Sequence, residues 1–239
     1  KFIDGYTIEY NSGNYNQILE SAEYLGKIIK SLETLKVELP NNDISSWYSK
    51  ITIDESIGKI EKLLQKISIN DFPQIHKDLT DKISMLLFIK DNLDLSDMSK
   101  MTIMNTHGDY SVLQFIYKDE KVNAIIDFVS ACKMPIVWEI IRSYSYIDPK
   151  AKKGEIDINN LVQYTKTFTA YVKLNEYDLK YMAYLYLVQL LTSTFGYKQF
   201  IIDNSKKDLL EFALFRTKMC RFLFENAENI SKVLKDKLV

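Results

Sequence analysis

The stretch His107-Gly108-Asp109-Tyr110-Ser111-Val112-Leu113-Gln114 decides the reading of this chain, together with Asp127, thirteen residues past Gln114, in Ala124-Ile125-Ile126-Asp127-Phe128. The first part is a loop that carries a histidine, a carboxylate and, five residues after that carboxylate, a side-chain amide. The second is an apolar strand that ends in Asp-Phe. These residue types suit phosphoryl transfer. One carboxylate accepts or orients the proton of an attacking hydroxyl, while an amide oxygen and a second carboxylate hold Mg²⁺ against nucleotide phosphates. Mg²⁺ favours hard oxygen ligands and few protein contacts, and Gln114 and Asp127 offer both.

Around this centre the pattern is helical. Apolar residues Ile18, Leu19, Ala22, Leu25, Ile28, Ile29 and Leu32 recur at helical spacing between Tyr15 and Leu35. Glu38 to Ser46, with Pro40-Asn41-Asn42-Asp43, reads as a loop. A second helix is expected from an Asp54 N-cap to Ile67, and a third from Pro73 to Leu93. The period then changes. Met101 to Thr106 is β-compatible. Gln114 to Tyr117 and Val122 to Phe128 form a hairpin across the turn Lys118-Asp119-Glu120-Lys121. Helices resume from Pro135, read as the first helical residue, to Tyr146. Three more are expected: Ile158 to Val172, Glu176 to Phe195, and Lys206 to Leu238 with a break near Asn226. A helical chain that interrupts itself with one loop and one hairpin points to function at the interruption.

Composition narrows the class. The chain has 239 residues, 46% of them hydrophobic, which is enough for a core without metal or disulfide staples. Only seven Gly and four Pro argue against a sandwich or barrel. With 31 basic against 32 acidic residues, no electrostatic footprint for nucleic acid shows. The longest apolar run, Tyr181 to Leu191, is about half of a membrane span and reads as a buried helix. Two cysteines in unrelated contexts, Cys132 and Cys220, and a start without signal-peptide organisation make a cytoplasmic location the expectation. The tyrosines at 177, 181, 184, 186 and 197 read as core, and His76 as a surface residue.

On His107, Gly108, Asp109, the strand ending Ile126-Asp127-Phe128 and the segment Ala131 to Glu139, the chain resembles the aminoglycoside phosphotransferase and choline kinase-like family, whose fold is that of the protein kinases. The resemblance implies an α+β, predominantly helical fold: the C-terminal lobe of a kinase-like protein with a small β-hairpin at the active site. Residues 1–12 would be the end of the interlobe hinge and 13–239 the catalytic and acceptor-binding lobe. It implies a kinase that moves the γ-phosphate of ATP or GTP to a small-molecule hydroxyl acceptor. Asp109 would be the catalytic base, with His107 bracing the loop. Asp127 would be the main Mg²⁺ ligand, joined by Gln114, which stands where the family usually has Asn. Phe2 and Ile3, at the end of the hinge, would border the nucleotide, and Glu139 would hold the site together from the next helix.

Glycines 5, 13, 26, 58, 108, 154 and 196 do not form a G-x-G-x-x-G loop, and no Val-Ala-x-Lys-like strand is present. The expectation is that the N-terminal nucleotide-binding lobe, the partner in cis, is not in this chain. Two other readings stand beside the kinase. One is a non-catalytic kinase-like binding or structural protein, such as a spore-coat-associated relative. The other is a helical interaction domain in which Asp109 and Asp127 lie far apart. From Glu155 to Val239, 12 basic residues face 10 acidic ones, so no acidic surplus suited to a polycationic acceptor shows.

Overall fold

Scarce glycine and proline leave long helices uninterrupted, and eight helices form among the residues that the computed structural model describes, 2–35, 38–42 and 45–238. The expected loop 38–46 is described except for Asp43 and Ile44, and Lys1 of the expected hinge lies outside the described residues. Helix α1 (Tyr15–Thr34) starts at a reciprocal cap. Asn14 Oδ1 accepts from the Gln17 amide at 3.0 Å, and Gln17 Oε1 accepts from the Asn14 amide at 2.9 Å. Its expected stripe buries Ile18, Ala22, Leu25 and Ile29. Helix α2 (Lys50–Leu64) begins before Asp54, because the Ser49 hydroxyl accepts from the Thr52 amide at 3.1 Å and caps it there. Asp54 instead pairs with Lys90 of α3 (Pro73–Asn92).

Two small antiparallel pairs follow. Strand β1 (Ile103–Thr106) pairs with β4 (Cys132–Pro135), and β2 (Phe115–Lys118) pairs with β3 (Lys121–Ile125). Asp119 and Glu120 both have positive φ, which supplies the tight turn between β2 and β3. Strand β4 is not foreseen from the sequence, since its partner is distant along the chain. Pro135 closes that strand instead of opening the helix as its first residue. Helix α4 runs Ile136–Ile147, and the Ile136 amide still donates to the Thr102 carbonyl at 3.2 Å.

Helices α5 (Ile158–Thr169) and α6 (Glu176–Thr192) end earlier than their patterns suggest. The short α7 (Tyr197–Ile202), opened by Gly196, is an addition to the sequence reading. Helix α8 (Lys207–Leu238) is unbroken, for Asn226 donates to the Phe222 carbonyl at 2.8 Å within the helix. The centre is α6, buried on nearly every side, and α2, α3, α4 and α8 pack around it. Tyr181, Tyr186 and Tyr197 are core residues, Tyr177 and Tyr184 are half-buried, and so is His76. No helix among the described residues is long and apolar enough to cross a membrane.

Buried charges tie these helices together. Arg221 of α8 bonds Asp78 and Asp81 of α3, each at 2.6 Å, and the Tyr197 hydroxyl donates to Asp78 at 2.7 Å. Lys82 of α3 donates to the carbonyls of Leu190 and Ser193, both at 2.8 Å, and so caps the end of α6. Burial pushes the Lys82 ammonium down to about 8, with neighbouring Arg216 adding to that fall and Cys220 and Asp78 opposing it. A base depressed in the folded state penalises folding below that value, and the penalty lifts as pH rises towards the unfolded value. The contribution amounts to about 2 kcal/mol between about pH 7.5 and about pH 9.5. The melting temperature of the wild type should therefore rise by roughly 4–6 °C relative to Lys82→Met across that window. Parallel melting curves against pH would show that Lys82 does not titrate there.

Candidate active site

The loop after β1 is held from below by one carboxylate. Glu139, in the first turn of α4, is fully buried. Its Oε2 accepts from the His107 amide at 3.2 Å and its Oε1 from the Tyr110 amide at 3.3 Å. Burial pushes Glu139 up to about 7, against the opposing pull of the loop amides and of Arg142. The burial of Ile136, Val137, Ile140 and Ile141 fixes the helix that carries it.

His107 is buried and links this loop to the next. Its Nε2 lies 3.0 Å from the Ile126 carbonyl, an acceptor only, so the neutral ring carries its proton on Nε2. Burial lowers the His107 pKa, which favours that neutral ring. The ring also packs 4.3 Å from that of Phe128. Gly108, at φ +80°, lies so close to the Ser130 carbonyl that a Cβ there would sit 1.8 Å from that oxygen. Only glycine lets the two loops touch.

Asp109 accepts from Nη2 of Arg142, one turn beyond Glu139 on α4, and Arg142 Nη1 donates to the Tyr110 carbonyl at 3.2 Å. The Asp109 side chain remains 42% exposed. Asp127 follows β3 in the left-handed region, φ 66° and ψ 57°, which is uncommon for a residue other than glycine. Its carboxylate is exposed and makes no ion pair among the described residues. Backbone outliers of this kind collect at functional sites. The His107 ring, on the Ile126 carbonyl, joins the loop that carries Asp109 to the turn at Asp127.

Gln114 closes a short turn, Val112–Gln114, and its backbone carbonyl accepts from the Ile126 amide at 3.0 Å. Its side-chain oxygen accepts from the Ser111 hydroxyl. Gln114, just before β2, and Asp127, just past β3, offer an amide oxygen and a carboxylate of the kind that would suit a hard cation retaining water and phosphate oxygens. No three His, Cys, Asp or Glu side chains form a metal cluster among the described residues.

Phe2 and Ile3 are exposed, Phe2 at 90%, and have no hydrogen bond or ring contact with the acids among the described residues. The segment that follows them lies along the hairpin. Tyr6 and Tyr117 exchange backbone bonds at 2.9 and 2.8 Å, and Asn123 donates to the Asp4 carbonyl at 3.0 Å.

The sequence reading gives Arg142 and Tyr10 no role. Arg142 was signalled by its spacing from Glu139 and by being one of three arginines in a lysine-rich chain. Tyr10 packs 5.0 Å from Tyr146, whose ring the Arg142 guanidinium faces at 4.8 Å, a placement that no local pattern announces. Tyr10 and Tyr146 also wall a cavity of about 540 Å³, lined further by Phe195, Phe212 and Phe215, with Asp208, Glu211 and Lys152. A hollow of about 580 Å³ between the start of α2 and the end of α3 has none of these site residues in its lining.

No family model matches the sequence, and no curated protein matches it. Solved structures do. An ethanolamine kinase of Plasmodium vivax aligns with 95% of this chain at TM-score 0.59 and 16% identity, and the chain spans 65% of its length. An aminoglycoside phosphotransferase from Alicyclobacillus acidocaldarius aligns with 97% of the chain and 71% of its own, at TM-score 0.56 and 14% identity. A spectinomycin phosphotransferase solved with ADP and spectinomycin aligns with 98% of the chain and 70% of its own, at TM-score 0.50 and 15% identity. The fold is thus one that small-molecule kinases use.

The Glu139 linkage has a defined sign. Its carboxyl holds its proton more firmly folded than unfolded, so its contribution to stability falls as pH rises from about 4.5 to about 7. Only the ionised form accepts fully from the loop amides. Hydrogen exchange at the His107 and Tyr110 amides, corrected for intrinsic rates, should therefore accelerate as pH falls through about 7, while the α6 core stays protected. In Glu139→Gln that pH dependence should vanish. Unchanged pH dependence in the variant would assign the transition to another group.

Proposed function

We propose that this protein moves the γ-phosphate of ATP or GTP to a hydroxyl of a small molecule. The observation that carries the reading is the clamp between two loops: His107 on the Ile126 carbonyl and Gly108 against Ser130 bring the Asp109 loop onto the strained turn at Asp127. In this reading Asp109, oriented by Arg142, accepts the proton of the attacking hydroxyl. Asp127 would hold Mg²⁺, joined by the Gln114 amide oxygen. The bound ion supplies charge neutralisation on the phosphates. His107 is a brace whose Nε2 proton is already engaged. Residues 1–12 are the end of a hinge and 13–239 the acceptor lobe, with a nucleotide-binding lobe above the exposed Phe2, Ile3, Phe128 and Val129. The acceptor enters the cavity walled by Tyr10 and Tyr146.

One observation favours a second, non-catalytic reading. The Ser111 hydroxyl donates to the side-chain oxygen of Gln114, which ties that oxygen to the loop and weakens it as a metal ligand.

Transfer measured on the product of the whole reading frame separates the two. Asp109→Asn should keep nucleotide binding and lower transfer by about 10²- to 10⁴-fold. Asp127→Asn should weaken Mg²⁺-nucleotide binding as well as turnover. Gln114→Asn should be tolerated, and Gln114→Ala should raise the Mg²⁺ requirement. A wild type that releases no phosphate product across small alcohols, amino alcohols and aminoglycosides would favour the non-catalytic reading.

A further inference from the structure

We infer that the cavity beside Asp109 takes an uncharged alcohol built on an aromatic or other flat ring. The inference rests on the transfer reading, which calls for a hydroxyl acceptor, and it adds the chemistry of the body that carries the hydroxyl.

The interior of the cavity is aromatic. Tyr10 lies 5.0 Å from Tyr146 between ring centroids, Tyr146 is 6.2 Å from Phe212, and Phe212 is 6.1 Å from Phe195. Such a lining rewards a flat apolar body over a hydrated one. The pattern resembles a cage for an organic cation, but two of its rings are already engaged. The Arg142 guanidinium stands 4.8 Å from the Tyr146 ring and that of Arg216 5.5 Å from the Phe212 ring, and neither arginine is part of the lining. A ring whose quadrupole already faces one cation attracts a second one less.

The two arginines differ in compensation. Arg142 is paired with Asp109. Arg216 is buried, bonds only the neutral oxygens of Ser193 and Gln189, leaves its Nε without a partner, and has no acid partner among the described residues. An uncompensated positive charge therefore stands behind the aromatic floor and disfavours a polycationic acceptor. An anionic acceptor is disfavoured from the other side. Asp208 and Glu211, both exposed and unpaired among the described residues, stand in the lining against the single Lys152. The charges of floor and rim oppose one another, so no one-signed field rewards an ion over a neutral ring at the aromatic walls. Tyr146, packed on Tyr10 and faced by the Arg142 guanidinium that pairs with Asp109, marks the polar end where the acceptor hydroxyl would lie.

Calorimetric titration of this chain without nucleotide tests the inference, using phenyl β-glucoside, methyl β-glucoside, choline and neomycin. Phenyl β-glucoside should bind saturably, and methyl β-glucoside at least about tenfold more weakly. Phe212→Ala should weaken the phenyl compound by about tenfold with an unchanged melting temperature. If that variant melts early, Phe195→Ala, at an exposed aromatic position of the same lining, carries the test and should weaken the phenyl compound by at least about threefold. Tighter binding of choline or neomycin, equal binding of the two glucosides, unchanged affinity in the folded aromatic variant, or no binding by any probe would overturn the inference. The transfer reading fails on different grounds, when Mg²⁺ and nucleotide do not bind the whole protein, since no nucleotide enters this titration.

Discussion

One buried carboxylate organises the rest. Glu139 enters the core without a full counter-charge and accepts instead from the backbone of the loop above it. Leaving a carboxylate in such surroundings costs several kcal/mol unless hydrogen bonds offset it. The amides of His107 and Tyr110 offset part of that cost, which ties the loop to the helix. Removing either would leave buried polar groups unsatisfied. The helix beneath is fixed by apolar burial around α6, so the position of the loop is set by the core and not by the loop itself.

From that anchor the constraint passes along named contacts. The Glu139–His107 bond fixes the histidine backbone. The His107 ring then fixes Ile126 through its carbonyl, and Gly108 fixes Ser130 by close approach. Asp127 lies between these two contacts and is held in a conformation it would rarely adopt alone. On the other side Arg142, from the same helix as Glu139, aims Asp109. Positions that must be accurate to a fraction of an ångström are thereby set by a rigid helix, and the loops that bear them need little intrinsic order.

The long helices were legible because burial repeats along them. The stripe of α1 and the all-round apolar run of α6 each state their environment directly. Boundaries were less legible where two residues compete for one role, as Ser49 does with Asp54 for the cap of α2. Strand β4 escaped because its signal lies in pairing with β1, and α7 because one turn and a half carries almost no period. Within the site, His107, Asp109, Gln114 and Asp127 were visible as a spaced pattern, and Glu139 came only with the family resemblance. Arg142 and Tyr10 were not, and neither was the aromatic cavity. Its walls come from the N-terminal segment, α4 and the turn after it, the loop between α6 and α7, and α8, which meet only after folding.

The most direct test of the account is where a metal-nucleotide settles. Paramagnetic Mn²⁺ with a non-hydrolysable ATP analogue, added to the isotopically labelled protein, broadens the amide signals nearest the ion. The account predicts broadening centred on residues 107–114 and 126–130, abolished by Asp127→Asn while the spectrum of the remaining fold is unchanged. Broadening centred elsewhere, or persisting in the Asp127→Asn variant, would contradict it.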